Sequence, residues 1–286
     1  MRPRFFVRAG VVAATLLGVG WGAVWAVERA APLLVASGAT VEPPAQQSRS
    51  VFRRGDVLRP ALKNPSADAR EFFFTRAIYS GGGYRGGSWA TDYPKADRQF
   101  LTIIDRLVDL LDSYERENAV RLDNPDLRRF PFLYALEVGY MYMTEAEVKG
   151  LRDYLLAGGF LMIDDFWGSW EWANFESEIK RVLPEYQIEE IPLDHPIFHT
   201  VYNIEEVVQV PNYGNAQRGG RTWEQDGYNP HVRGIFDENR RLMVVINWNT
   251  DIGDAWEWAE SPYYPLYYST FAIEITVNTI VYAMSH

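Results

Sequence analysis

The pattern of apolar and polar positions divides the chain near residue 70, and beyond it segments of strand composition alternate with segments of helical period. Residues 72–79, rich in aromatic and β-branched side chains, predict a strand. Phe100, Ile103, Ile104, Leu107, Leu110 and Leu111 recur at three- and four-residue spacing, which predicts a helix from about Ala96 with one buried face. Short strands are expected over 119–122 and 132–136. Thr144 and Glu147 have capping-box spacing, Val148, Leu151 and Leu155 supply the apolar face of the helix they open, and Gly158 and Gly159 stop it. Residues 160–163 are continuously apolar, as in a central parallel strand covered on both faces. A helix is expected near 175–183, ended by Pro184, then strands near 188–191, 206–210, 233–236 and 242–246, and an apolar helix over about 267–284. This alternation predicts an α/β fold with a doubly wound, mostly parallel sheet. The later strands, which lack helices between them, predict extra antiparallel strands or an added lobe.

Ahead of this region, Arg2, Arg4 and Arg8 precede an uncharged run from Ala9 to Val27. Positive charge before an apolar run of that length is the pattern of a secretory signal or membrane anchor. No good small-x-small cleavage site follows, so residues 1–27 fit an uncleaved anchor through residues 9–27 better than a cleaved signal. Either way the rest of the chain is expected on the extracytoplasmic, periplasmic side, or secreted if the segment is cleaved. Residues 28–70, punctuated by Pro43, Pro44, Pro60 and Pro65, read as a linker, which leaves 71–286 as the folded domain.

Charge and cysteine content narrow the function. Residues 1–29 hold four of the 28 basic residues and one of the 38 acidic ones, which leaves 24 against 37, or −13, on the remainder. So acidic a body argues against a nucleic-acid partner. The chain has no cysteine, which excludes disulfides, thiolate metal sites and a cysteine nucleophile.

Candidate chemistry gathers where loops follow strands. Asp164 and Asp165 end the apolar strand, at the edge where α/β sheets bind ligands. Adjacent strand residues face opposite sides, so the two carboxylates are expected to point apart. The loop at 80–94 contains Gly81, Gly82, Gly83 and Arg85, which suit an anion cradle, and Trp89, Asp92 and Tyr93, which close it. Trp167 follows the aspartates. His195 is a candidate base beside them. No histidine pair has ligand spacing, so no metal set is assigned, and no cofactor is implied. Tryptophan and tyrosine are dense in the second half, where Asp251, Asp254, Glu257 and Glu260 interleave with rings; residues 247–265 are expected to form a mobile loop over the cleft.

The segments at 72–97, 130–137, 151–168 and 193–198 together resemble a bacterial family known as domain of unknown function 4159, which itself looks like a relative of the class I glutamine amidotransferases. The resemblance implies a flavodoxin-like fold and, after the strand at 160–163, a strand-to-helix corner with exposed side chains and free backbone N–H groups. Amidotransferases carry a cysteine nucleophile at that corner; this chain has Asp164 and Asp165 there instead. Two functions follow as alternatives. One is a non-catalytic module that binds a ligand or a protein partner. The other is a hydrolase that uses Asp164 or Asp165 with His195, with or without a metal, on a carbohydrate or cell-wall substrate.

Overall fold

The computed structural model describes residues 72–82, 88–107 and 113–286, which build a sheet of seven strands with helices on both faces. The strands are β1 (Thr75–Ile78), β2 (Asn118–Arg121), β3 (Phe132–Leu136), β4 (Phe160–Asp164), β5 (Ile188–Glu190), β6 (His231–Phe236) and β7 (Leu242–Trp248). Their order is β2-β1-β3-β4-β7-β6-β5. The first five in that order run parallel, and β6 and β5 form an antiparallel edge. The parallel set follows the flavodoxin-like order, in which chain direction across the sheet reverses between β1 and β3. The predicted anchor at 9–27, the linker at 28–70, and Gly83 and Arg85 lie outside the described residues. Among the described residues no helix is long and apolar enough to cross a membrane.

The alternation within β4 shows why its sequence is apolar throughout. Phe160 and Met162 join a core with Phe74, Phe100, Tyr134 and Trp256, under α1 (Lys95–Leu107), α5 (Ile252–Glu257) and α6 (Leu266–Ser285). Leu161 and Ile163 join the opposite core with Leu133, Leu151, Phe175 and Ile179, under α2 (Glu145–Leu156) and α3 (Gly168–Val182). A strand buried on both faces has no polar positions to alternate. The capping box opens α2: Thr144 Oγ1 accepts the Glu147 N–H at 3.3 Å, and Glu147 Oε2 accepts the Thr144 N–H at 2.8 Å. At the other end Gly158 takes φ +108, a left-handed conformation glycine adopts without strain. The Tyr154 hydroxyl bonds both backbone polar groups of Phe160, so α2 delivers the chain directly into β4.

Four expectations are corrected. The strand at 72–79 forms ladder pairs only over Thr75–Ile78. The helix expected near 175 begins at Gly168, because side chains elsewhere in the fold satisfy its first N–H groups. Residues 206–210 form no strand; Val208 and Val210 are buried in an irregular segment, with the Val210 C=O accepting from Asp251 N–H at 2.9 Å. The expected loop at 247–265 contains the end of β7 and α5; Ile252, Ala255 and Trp256 are fully buried, with Trp256 packed on Phe74 and on Tyr134 of β3. A short helix, α4 (Tyr213–Arg218), leaves no signal in the apolar pattern.

Candidate functional site

The carboxyl ends of the parallel strands meet at one edge of the sheet, and backbone hydrogen bonds tie their loops together. Glu137 N–H, after β3, donates to the Asp165 C=O at 2.9 Å. Asp165 N–H, after β4, donates to the Thr250 C=O beyond β7 at 3.1 Å. Gly82 N–H, after β1, donates to the Tyr140 C=O at 2.8 Å. Of the six non-glycine residues with positive φ among the described residues, four lie in these loops: Asp92, Glu137, Asp165 and Asn249. Such residues are uncommon, and their concentration at one sheet edge marks a place where side chains are aimed against local preference.

The two aspartates have different jobs. Asp164, the last residue of β4, is fully buried on the α5 side; its Oδ2 accepts from the Tyr134 hydroxyl at 3.1 Å and from Gly253 N–H at 3.0 Å. Among the described residues its Oδ1 has no hydrogen-bond partner. Asp165 takes φ 49, which turns its carboxylate to the loop edge. There one of its oxygens lies within 4.8 Å of oxygens from Asp92 and Asp251. Asp165 Oδ1 also accepts from the Trp167 indole N–H at 3.1 Å, so buried Trp167 holds Asp165 in place.

Asp92 and Asp251 reach the cluster from opposite directions. The loop that carries Asp92 is held by Arg76 of β1, whose Nη1 donates to the Trp89 C=O at 3.2 Å and the Thr91 C=O at 2.9 Å. The same guanidinium binds Asp97 of α1 through two nitrogens, Nε and Nη2, and both side chains are fully buried. Tyr93 lies 5.7 Å from it, ring centroid to Cζ, and packs on Trp89. Asp251 caps α5, accepting the Asp254 N–H at 2.8 Å. Asp254 and Glu257 on α5 then form a second close group with Asp92, again within 4.8 Å.

These carboxylates share one electrostatic predicament. Burial pushes Asp92 up to about 7, with Asp254 adding to the effect and Arg76 opposing it. Burial raises Asp164 to about 7 against the pull of the Gly253 N–H, and raises Asp254 to about 7 against the Tyr213 N–H. Asp165 is held well above the carboxylate range by burial, then by Glu137 and Asp164; Asp251 likewise by burial, then by Asp165 and Asp254. Among the described residues, Arg76 is engaged with Asp97, and Lys95 offsets part of the charge through Glu257 at 3.3 Å. A pocket of this kind has two stable states, protonated or occupied by a cation. Its ligand atoms are all carboxylate oxygens, which suit hard divalent ions such as Mg²⁺, Ca²⁺ or Mn²⁺.

The remaining candidates fall differently. Gly81, at φ +127, pairs with Met141 and lies so close to the backbone at Tyr140 and Tyr142 that a Cβ would collide with it, so its role is structural. The expected free N–H groups of the corner are taken: Trp167 N–H by Glu171 at 2.6 Å, Gly168 N–H by Asn249 at 2.8 Å and Ser169 N–H by Asp226 at 2.8 Å. The protein fills this anion site with its own side chains. His195 does not reach the aspartates. Its ring packs on Phe236 and Tyr282, and Tyr282 touches Phe160, the residue at the opposite end of β4 from Asp164. Sequence reading did not assign Asp251, Asp254 and Glu257 to the pocket. Their three-residue spacing, starting three residues after β7, is a helix-cap signal, and their place in a segment expected over the cleft is a second pointer.

A comparison with curated proteins found none that matches the chain. A family model described as a domain of unknown function (DUF4159) matches residues 74–284, more than half of the sequence, and the chain belongs to that family.

Proposed function

We propose that the domain is a non-catalytic ligand-binding module on an amidotransferase-like sheet, and that its pocket is built around a divalent cation. The observation that carries this reading is the convergence of Asp92, Asp165 and Asp251 oxygens within 4.8 Å, from three separate loops, with no basic side chain among the described residues bonded to them. Two oxygens on opposite sides of an ion at about 2.4 Å stand about 4.8 Å apart, so the spacing suits one ion. The absence of cysteine from the whole chain supports the loss of amidotransferase chemistry.

Titration of the chelator-treated full chain with Mg²⁺, Ca²⁺ or Mn²⁺ tests it. At about 100 times the dissociation constant, one bound ion stabilises by about 2.7 kcal/mol, or about 5–10 °C in Tm. Asp165→Asn is expected to remove that shift without unfolding the domain, since asparagine tolerates the left-handed backbone. If none of the three ions binds or shifts Tm at millimolar concentration, the reading is wrong.

A second reading, a metal-assisted hydrolase of carbohydrate or cell-wall material, is favoured by Trp170 and Tyr142. They are 60% and 72% exposed beside the acidic edge, with Trp170 packed on Tyr140 at 5.5 Å. Turnover of such a substrate that depends on both the ion and Asp165 would favour it over the binding module.

We further propose that residues 9–27 anchor the domain outside the cytoplasm, on the strength of the Arg2, Arg4 and Arg8 flank. The protein is expected to stay in the membrane pellet after alkaline washing and to be cleaved by protease added from the outer side. Release into the soluble fraction would contradict the anchor, and protection from the protease would contradict the orientation.

A further inference from the structure

We infer that the pocket holds two divalent cations rather than one, with the Asp92 carboxylate bridging them. This rests on the cation-binding reading above and goes beyond it in number and geometry.

Asp92 belongs to two groups at once: Asp92, Asp165 and Asp251 converge within 4.8 Å, and so do Asp92, Asp254 and Glu257. Two ions that share one carboxylate stand about 3.5–4 Å apart, the usual spacing of paired divalent centres. The two halves are already braced against each other. Asp251 of the first accepts the backbone N–H of Asp254 of the second at 2.8 Å, and Asp254 Oδ2 is fixed by the Tyr213 N–H at 2.6 Å.

Asp164 supplies an independent observation. It is fully buried, its charge acts on both Asp165 and Asp251, and its Oδ1 has no hydrogen-bond partner among the described residues. A buried carboxylate oxygen in that condition, when ionised, calls for a cation or a metal-bound water.

Charge favours two ions as well. Among the described residues, Lys95, paired with Glu257, is the one cation in an ion pair with the five ligand carboxylates, and Arg76 is matched by Asp97. With Lys95, one divalent ion leaves two of the five negative charges buried and unpaired, whereas two ions balance them.

Manganese alone is the probe. The full chain, stripped by chelator and titrated with Mn²⁺, is followed by native mass spectrometry and by electron paramagnetic resonance. Two Mn²⁺ per chain with an exchange-coupled signal are expected. The Asp254→Asn/Glu257→Gln variant is expected to keep one ion, with an uncoupled signal. The wild-type stoichiometry decides the matter even if that variant fails to fold. One ion in the wild type, or two without coupling, overturns the bridged pair and leaves the single-cation reading standing. No ion overturns both.

Discussion

In the presence of chelator, the protein is expected to become less stable as pH rises from about 5 to about 8, the reverse of the acid sensitivity of most folded proteins. The sign follows from the direction of the shifts. Burial pushes Asp92, Asp164 and Asp254 up to about 7 in the folded state and holds Asp165 and Asp251 well above the usual carboxylate range, because it disfavours their charge. Unfolded aspartate titrates near 3.9, so between about 4 and 7 the folded state holds more protons than the unfolded one. The stabilisation is complete below the lower value and is lost as pH rises through the upper one. Asp164 gives the clearest magnitude, since it is fully buried and its largest opposing contacts are hydrogen bonds. Its shift corresponds to about 4 kcal/mol, or about 8–16 °C in Tm for a domain of this size. The exposed pairs Arg98–Glu117 and Arg121–Asp123 act in the opposite sense, but solvent screens them. Saturating Mg²⁺, Ca²⁺ or Mn²⁺ is expected to flatten or invert the slope, because the ion binds the ionised form and displaces the protons. Calorimetry across this range, with and without the ion, measures both effects. A metal-free Tm that is level or rises with pH would show that the carboxylates titrate normally. A slope indifferent to cations would show that the pocket is managed by protons alone.

Half of this site was legible in the sequence, and the division has a physical cause. Asp164 and Asp165 stand at the end of a continuous apolar run after a Gly-Gly stop, so local pattern suffices to place them at the carboxyl edge of a central strand. Asp92 is legible for a similar reason, as part of the loop after the first strand. Their partner Asp251 is brought to Asp165 by the pairing of β4 with β7, which leaves no mark in either segment alone. The aromatic density around it also misleads: Trp256 is a core residue against Phe100 and Tyr134, not a ring in a mobile loop. His195 fails in the complementary way. It belongs to a loop beyond β5, and nothing local records that the chain then folds back toward the β6–β7 hairpin and the end of α6. The expectation that Asp164 and Asp165 point apart did anticipate their separate environments. It could not foresee the positive φ of Asp165, which turns that carboxylate toward Asp92.

Arg76→Met is expected to destabilise the protein by about 3–5 kcal/mol, because it leaves Asp97 charged, buried and alone. The pair itself adds little stability: burial keeps Asp97 above the usual carboxylate range even with the guanidinium attached. Removing both charges should therefore cost less than removing one, and Arg76→Met/Asp97→Leu is expected to recover most of the loss in a denaturant titration. Cation affinity should not recover with it. Arg76 is also the donor to the Trp89 and Thr91 carbonyls, the contacts that set the loop carrying Asp92. Arg76→Lys keeps the charge but lacks the planar fork, so it cannot bind Asp97 through two nitrogens and hold both carbonyls at once. It is expected to lie between wild type and Arg76→Met in stability, with cation affinity already weakened. If the double variant is as unstable as the single one, an unpaired charge is not the reason for the loss. If the double variant binds cations as tightly as wild type, Arg76 does not position Asp92, and the link from this buried ion pair to the acidic pocket is broken.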